Sequence, residues 1–206
     1  MLKPVLAAAA LALLTAAAPV ATQTAVFAGG CFWSSETDLQ RVPGVLSTQV
    51  GYIGGHLAHP SYEQVSTGET GHREAVRVVF DPARISYARL VDAYFHTVDP
   101  ADGGGTFCDR GDEYRDAVFA LTPDQRASAL AEVAALSKLP RFKDGVKTQV
   151  LDPAPFYPAE GYHQNYHAKN PLQYGMYRAG CRRDAGLRAV WGTSPADGKG
   201  LFVATR

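Results

Sequence analysis

The sequence predicts an α+β fold, a single domain in which helices cover one sheet as a two-layer α/β sandwich. Three observations carry this. Strand-like and helix-like runs alternate from position 25 to position 202 without a long polar linker, and a stretch of roughly 180 residues suits one domain. Apolar residues make up 46% of the chain and charged residues 19%, enough to bury a core and too apolar for a disordered chain. No internal similarity recurs at the spacings of roughly 20 to 50 residues that mark repeat architectures.

The elements follow in order. Residues 25–28 (Ala-Val-Phe-Ala) form a short apolar strand broken by Gly29 and Gly30, and 31–40 is a helix that opens at Cys31. Residues 45–53 form a second strand ending at Gly54-Gly55, and 75–80 a third. Residues 86–97 have helical spacing, with Leu90, Val91, Tyr94 and Phe95 recurring along one face. A strand over 114–121 is followed by the clearest helix, 124–137, with Thr122 as its N-cap and Pro123 at the first helical position. Residues 146–151 are the last strand, and 159–169 a short helix that stops before Pro171. Strand, helix, strand, strand, helix, strand is the order of a ferredoxin-like core, here with a further helix and strand.

Twenty Lys and Arg balance twenty Asp and Glu, which excludes a strong electrostatic grip on nucleic acid or on an anionic membrane. The first 23 residues read as a secretory signal peptide: Lys3, an apolar run over 5–14, then small residues from Ala16 to Ala21. The run is short of the roughly 20 residues that span a bilayer. The expectation is an exported protein, periplasmic or extracellular, with no membrane attachment once the signal is removed. Three cysteines exclude a fully paired disulfide scaffold and leave at least one thiol.

The most informative stretch is Gly29-Gly30-Cys31-Phe32-Trp33-Ser34-Ser35-Glu36. Two glycines after a strand allow a tight turn. A cysteine in the first helical turn then faces unpaired N–H groups and the positive end of the helix dipole, both of which favour thiolate. The alternative is a buried structural cysteine in a core turn. Three other segments supply partners at strand ends: Gly51-Tyr52-Ile53-Gly54-Gly55, Gly71-His72-Arg73-Glu74-Ala75, and Asp109-Arg110-Gly111-Asp112-Glu113-Tyr114-Arg115. Strand ends on one edge of a sheet can converge on one pocket.

These blocks, together with Phe156-Tyr157-Pro158-Ala159-Glu160 and Tyr162-His163-Gln164, resemble in order and spacing those of the A-type peptide-methionine sulfoxide reductases, over about 25–191. The resemblance implies thiol-dependent reduction of methionine S-sulfoxide, protein-bound or free, with no organic cofactor and no metal. It implies that 24–192 is the catalytic domain and 193–206 a C-terminal tail. Cys31 matches the nucleophile, which takes the sulfoxide oxygen as a sulfenic acid. Glu74 matches the acid, and must be protonated at neutral pH through an apolar pocket. Tyr52 and Tyr114 match phenols that hydrogen-bond the sulfoxide oxygen, Asp109 a second carboxyl near it, and Phe32 and Trp33 the walls around the S-methyl group. His163 and Gln164 lend support.

The chain departs from the familiar pattern in its recycling thiols, since Tyr177 to Asp184 contains a single cysteine. Cys181 is the expected resolving thiol, forming a disulfide with Cys31 that a thioredoxin-like donor reduces, with Arg182 and Arg183 lowering its pKa. Cys108, directly before Asp109, has three parts open to it: resolving Cys31 itself, pairing with Cys181, or standing by. The resemblance implies oxidised proteins or free methionine sulfoxide as substrates, and the protein is expected to be a monomer without nucleic-acid partners. Three rivals remain in view. A thiol hydrolase would use Cys31 with the distant His163, a zinc site would use His163 with His167 or His56 with His59, and a binding scaffold would staple Cys108 to Cys181 and bury Cys31.

Overall fold

A computed structural model of the chain describes residues 21–197. The segment 1–23, expected to be a leader, lies almost wholly outside the described residues, as does the end of the expected tail. The chain begins with β1 (Gln23–Ala28), α1 (Phe32–Gln40), β2 (Val45–Ile53), α2 (Tyr62–Val65) and β3 (Arg73–Phe80). Next come α3 (Tyr87–Phe95), the two-residue strands β4 (Gly105–Thr106) and β5 (Asp109–Arg110), β6 (Ala117–Phe119), α4 (Pro123–Leu136), β7 (Gln149–Leu151) and β8 (Phe156–Pro158). Three helices close it: α5 (Tyr166–Lys169), α6 (Pro171–Gly180) and α7 (Arg183–Trp191).

The main sheet runs β7-β6-β1-β3-β2-β8. Both β1 and β2 are antiparallel to β3, which lies between them, and β6 is antiparallel to β1. This is the split βαβ arrangement of the ferredoxin-like core. β7 adds in parallel beside β6 and β8 antiparallel beside β2. The inner strands β1, β3 and β6 are largely buried on both faces. Phe27, Val76, Val78 and Phe80 meet Leu39, Leu90 and Tyr94 of the helical layer, while Val26, Ala28, Ile53, Ala75 and Phe119 form a smaller cluster opposite. Phe27 stacks on Tyr94 at 4.6 Å between ring centroids, and the Tyr94 hydroxyl donates to Ala28 O, so a buried phenol is satisfied where the chain turns towards Cys31.

The predicted cap holds, Thr122 accepting from Gln125 N–H, and Ser86 caps α3 in the same way by accepting from Arg89 N–H. The strand expected over 114–121 contracts to β6 because residues Asp112–Tyr114 close a 3₁₀ turn, Tyr114 N–H donating to Gly111 O. The helix expected over 159–169 survives only as α5, since Ala159 N–H is given to Val50 O and prolongs the β8 pairing. Pro171 does not end the helical region but opens α6 at its first position. The apolar pattern gave no warning of α6 and α7. Leu172 and Met176 point outward at 78% and 77% exposure, and α6 buries Tyr174 and Arg178 instead.

These two helices are docked by charge. Arg183 is fully buried, its Nη2 donating to Thr97 O at 2.8 Å and Gly29 O at 3.2 Å and its Nε lying 3.6 Å from Asp38 Oδ2. Arg178 reaches Asp38 Oδ1 at 3.0 Å. One buried carboxylate on α1 thus faces two guanidinium groups, which couples the C-terminal helices to the helix that follows Cys31. No helix among the described residues is long and apolar enough to cross a membrane.

Candidate active site

The site is assembled at the N-terminus of α1. Gly30 has φ +68°, and a Cβ there would lie 2.8 Å from Thr106 Cβ and 3.2 Å from Asp109 Oδ2, so glycine is required on both counts. Cys31 is the N-cap residue, and its side chain makes no cap. The unpaired amides of the first turn are taken by two carboxylates from elsewhere in the fold: Cys31 N–H donates to Asp109 Oδ2 at 3.2 Å and Phe32 N–H to Glu74 Oε2 at 2.8 Å. Glu74 comes from β3 and Asp109 from β5, where it pairs with Thr106 in a small ladder of its own.

Cys31 is a free thiol, 7% exposed. The helix N-terminus was expected to favour its thiolate; the surroundings reverse that. Burial pushes the Cys31 thiol well up, the charges of Glu74 and Asp109 add to the effect, and hydrogen bonds from the Tyr177 hydroxyl and the Trp33 N–H only partly oppose it. Glu74 behaves as the sequence required. Burial pushes its carboxyl up to about 8, with Asp109 and Glu113 adding, against the Phe32 N–H bond that lowers it. At pH 7 the protonated form therefore prevails.

Tyr52 lies directly across the β2–β3 ladder from Glu74, which puts both side chains on one face. Its hydroxyl, expected to wait for the sulfoxide oxygen, donates instead to Glu160 Oε2 at 2.8 Å. Tyr114, on the 3₁₀ turn, hydrogen-bonds the hydroxyl of Tyr62, and Tyr62 is pushed up to about 12 by burial and by the charges of Glu74 and Cys31. Both phenols are therefore neutral donors beside the sulfur and Glu74. Tyr62 was missed in the sequence, where it is one tyrosine among ten with no motif around it.

Phe32 is buried and Trp33 half-buried. Trp33 stacks on Tyr166 at 3.7 Å between centroids, stands edge-on to Tyr177, and donates its Nε1–H to His163 Nδ1 at 3.0 Å. Burial lowers the pKa of His163, which suits a neutral ring accepting that bond. Gln164 accepts from Val50 N–H and donates to Val50 O and Ala159 O, fastening this loop to β2. Glu160 was also missed as a site residue: besides the Tyr52 hydroxyl it takes the Tyr62 backbone N–H at 2.9 Å, so one carboxylate holds a phenol and the start of α2.

Cys181 is joined to Cys108, with Cα atoms 5.1 Å apart, and not to Cys31. The expected Cys31–Cys181 bond is therefore absent from this state. The tip between β4 and β5 carries Cys108 to the C-cap of α6, and Arg183 lies over the Phe107 ring beside it. Arg183 is committed to Asp38, Gly29 and Thr97 rather than to the Cys181 sulfur. Cys108 Sγ stands 3.5 Å from Asp109 Oδ1, so the disulfide borders the carboxylate that caps Cys31. Among the described residues, the one group with metal-ligand spacing is Cys108, Asp109 and Cys181, whose two sulfurs are bonded to each other. His163 precedes α5 rather than lying on it with His167.

A family model described as "Peptide methionine sulfoxide reductase" matches residues 23–194. The chain is 53% identical over 193 residues to "Peptide methionine sulfoxide reductase MsrA 2" of Caulobacter vibrioides, covering 91% of this chain and 97% of that protein. It is 45% identical over 170 residues to "Peptide methionine sulfoxide reductase MsrA" of Bacillus licheniformis, covering 82% and 94%. Among solved structures, methionine sulfoxide reductase A of Corynebacterium diphtheriae superposes with a TM-score of 0.69 at 32% identity, covering 73% of this chain and 76% of that one. Mxr1 from Saccharomyces cerevisiae in reduced form gives 0.67 at 29% identity, covering 75% and 89%.

Proposed function

The chain belongs to the peptide methionine sulfoxide reductase family, and from that premise we propose how its residues divide the reduction of methionine S-sulfoxide. The observation that carries the reading is a free Cys31 whose helix is capped by two carboxyls, one of them held protonated. The Cys31 sulfur attacks the sulfoxide sulfur while Glu74 gives its proton to the sulfoxide oxygen. The hydroxyl so formed passes from the substrate sulfur to the Cys31 sulfur as the bond between the two sulfurs breaks, so methionine leaves and Cys31 remains as a sulfenic acid. Neutral Tyr114 and Tyr62 hydrogen-bond the oxygen as charge gathers on it, and Tyr52 turns from Glu160 to join them. Phe32 and Trp33 hold the S-methyl group.

Cys181 then condenses with the sulfenic acid, releasing water. Cys108 attacks Cys181 in the mixed pair, which frees Cys31 as a thiol and leaves Cys108 bonded to Cys181. The pairing already described, in which Cys31 is free and the other two are joined, is the end point of this sequence. A thioredoxin-like dithiol returns the pair to thiols, entering at Cys108, which is exposed, rather than at Cys181, which is buried. The same staple is what a non-catalytic scaffold would show, but that reading gives no purpose to a protonated Glu74. The enzyme works as a monomer outside the cytoplasm, brought there by the leader at 1–23, on oxidised proteins or free methionine sulfoxide. Turnover of the two enantiomers of methyl p-tolyl sulfoxide with dithiothreitol tests the assignment. The S form is consumed and the R form spared, and Cys31→Ser abolishes turnover while circular dichroism stays unchanged. A Cys31→Ser protein that still turns over would refute it.

A further inference from the structure

We propose that Tyr177 is a further catalytic residue, whose hydroxyl carries the Cys31 proton to Asp109 as the sulfur attacks. This rests on Cys31 being the nucleophile. The difficulty it resolves is set by the site itself. A thiol kept protonated by its burial must lose its proton during attack, and Glu74 cannot receive it, because Glu74 has to arrive protonated to serve the sulfoxide oxygen. The other carboxyl at the sulfur is Asp109, and Tyr177 bridges the two. Its hydroxyl lies 2.9 Å from both Asp109 Oδ1 and Oδ2 and within hydrogen-bonding reach of the Cys31 sulfur. Asp109 is held in place from the other side by the Cys31 N–H. The Tyr177 ring is half-buried and edge-on to Trp33 at 5.8 Å, so the hydroxyl has a fixed position.

The protons balance. The Cys31 S–H bond breaks as the bond to the substrate sulfur forms. That proton passes to the Tyr177 oxygen, the phenolic proton moves to Asp109, and Glu74 gives up its own proton to the sulfoxide oxygen. Exchange with solvent then returns both carboxyls to their starting states. The groups that face the sulfur are Glu74 from β3, Asp109 from β5, Tyr62 from α2, Tyr114 from the 3₁₀ turn and Tyr177 from α6, with Arg183 of α7 behind Gly30. Among these, Tyr177 alone hydrogen-bonds both Asp109 and the thiol. It also sits one turn before Cys181, whose N–H donates to Tyr177 O at 2.8 Å. The proton route therefore exists only while the helix bearing the recycling thiol is docked.

The test is the rate of methionine release in the first turnover, by rapid quench without reductant, starting from the fully reduced full-length protein. Tyr177→Phe is expected to slow release about tenfold or more with the sulfoxide KM unchanged, and to move the alkaline rise of Cys31 alkylation to higher pH. Asp109→Asn slows the same step, and the double variant is no slower than the slower single, because both cut one route. Tyr87→Phe removes a hydroxyl on α3 that makes no hydrogen bond in the structure, and leaves the rate unchanged. Release at the wild-type rate by folded Tyr177→Phe, or losses that multiply in the double variant, would overturn the proposal. Should Tyr177→Phe misfold, a ring-fluorinated tyrosine at 177 keeps the ring and makes the hydroxyl more acidic. A shifted pH profile is then expected, and an unshifted one overturns the proposal. Methionine release by Cys31→Ser would instead defeat the underlying assignment of the nucleophile.

Discussion

Replacing Glu74 with glutamine keeps the size of the side chain and its bond from the Phe32 N–H but removes the ability to ionise. In the folded protein burial raises this carboxyl from 4.5 to about 8. At about 1.4 kcal/mol per pH unit, the difference is worth about 5 kcal/mol. The sign follows from proton binding. Between about pH 4.5 and 8 the folded state holds a proton on Glu74 that the unfolded state has lost, so stability falls as pH rises through that window and the loss is complete above about 8. Glutamine does not share that fall. Urea unfolding of both proteins, with the disulfide intact, at about pH 5, 7 and 9 isolates it, because the other titrating groups contribute equally to both and cancel in the difference. The variant should gain several kcal/mol on wild type from pH 5 to pH 9. Turnover gives the matching readout: the wild-type rate declines above about pH 8 as Glu74 ionises, whereas Glu74→Gln lacks that decline and is about tenfold or more slower near neutrality. A stability difference that stays flat across pH would refute the assignment of a protonated, buried Glu74.

Asp38→Ala leaves Arg183 buried without its carboxylate and should cost about 3 to 5 kcal/mol in urea unfolding. Gly30→Ala forces a Cβ onto Thr106 at positive φ, and is expected to cost about 1 to 3 kcal/mol by the same measurement and to slow turnover by displacing Cys31. In Cys108→Ser, one turnover without reductant should accumulate a Cys31–Cys181 disulfide on peptide mapping, whereas wild type accumulates Cys108–Cys181.

The ferredoxin-like core was legible because β1 and β2 end at glycine pairs and α4 opens on a Thr-Pro start; β2 runs over the very residues expected. Cys31, Glu74, Asp109 and Tyr114 were legible because each stands in a dense local motif. The C-terminal helices were not, since α6 is held by Arg178 and Tyr174 rather than by an apolar stripe and displays Leu172 and Met176 to solvent. With α6 unseen, Tyr177 could not be brought to the sulfur. Nor could the sequence weigh burial against the helix dipole at Cys31: the Gly-Gly-Cys motif carries the dipole, but the desolvation and the two carboxylates that outweigh it come from residues 43 and 78 positions further along the chain. The use of Arg183 was equally hidden, because its partner Asp38 lies on another helix and no local pattern joins them.

The most direct test is to trap the sulfur that takes the oxygen. With Cys108 and Cys181 both replaced by serine, the protein is mixed with methionine S-sulfoxide and dimedone, and the adduct is mapped by mass spectrometry while free methionine is counted. The expected result is a single adduct at Cys31 for each methionine released; methionine appearing with Cys31 unmodified would contradict it.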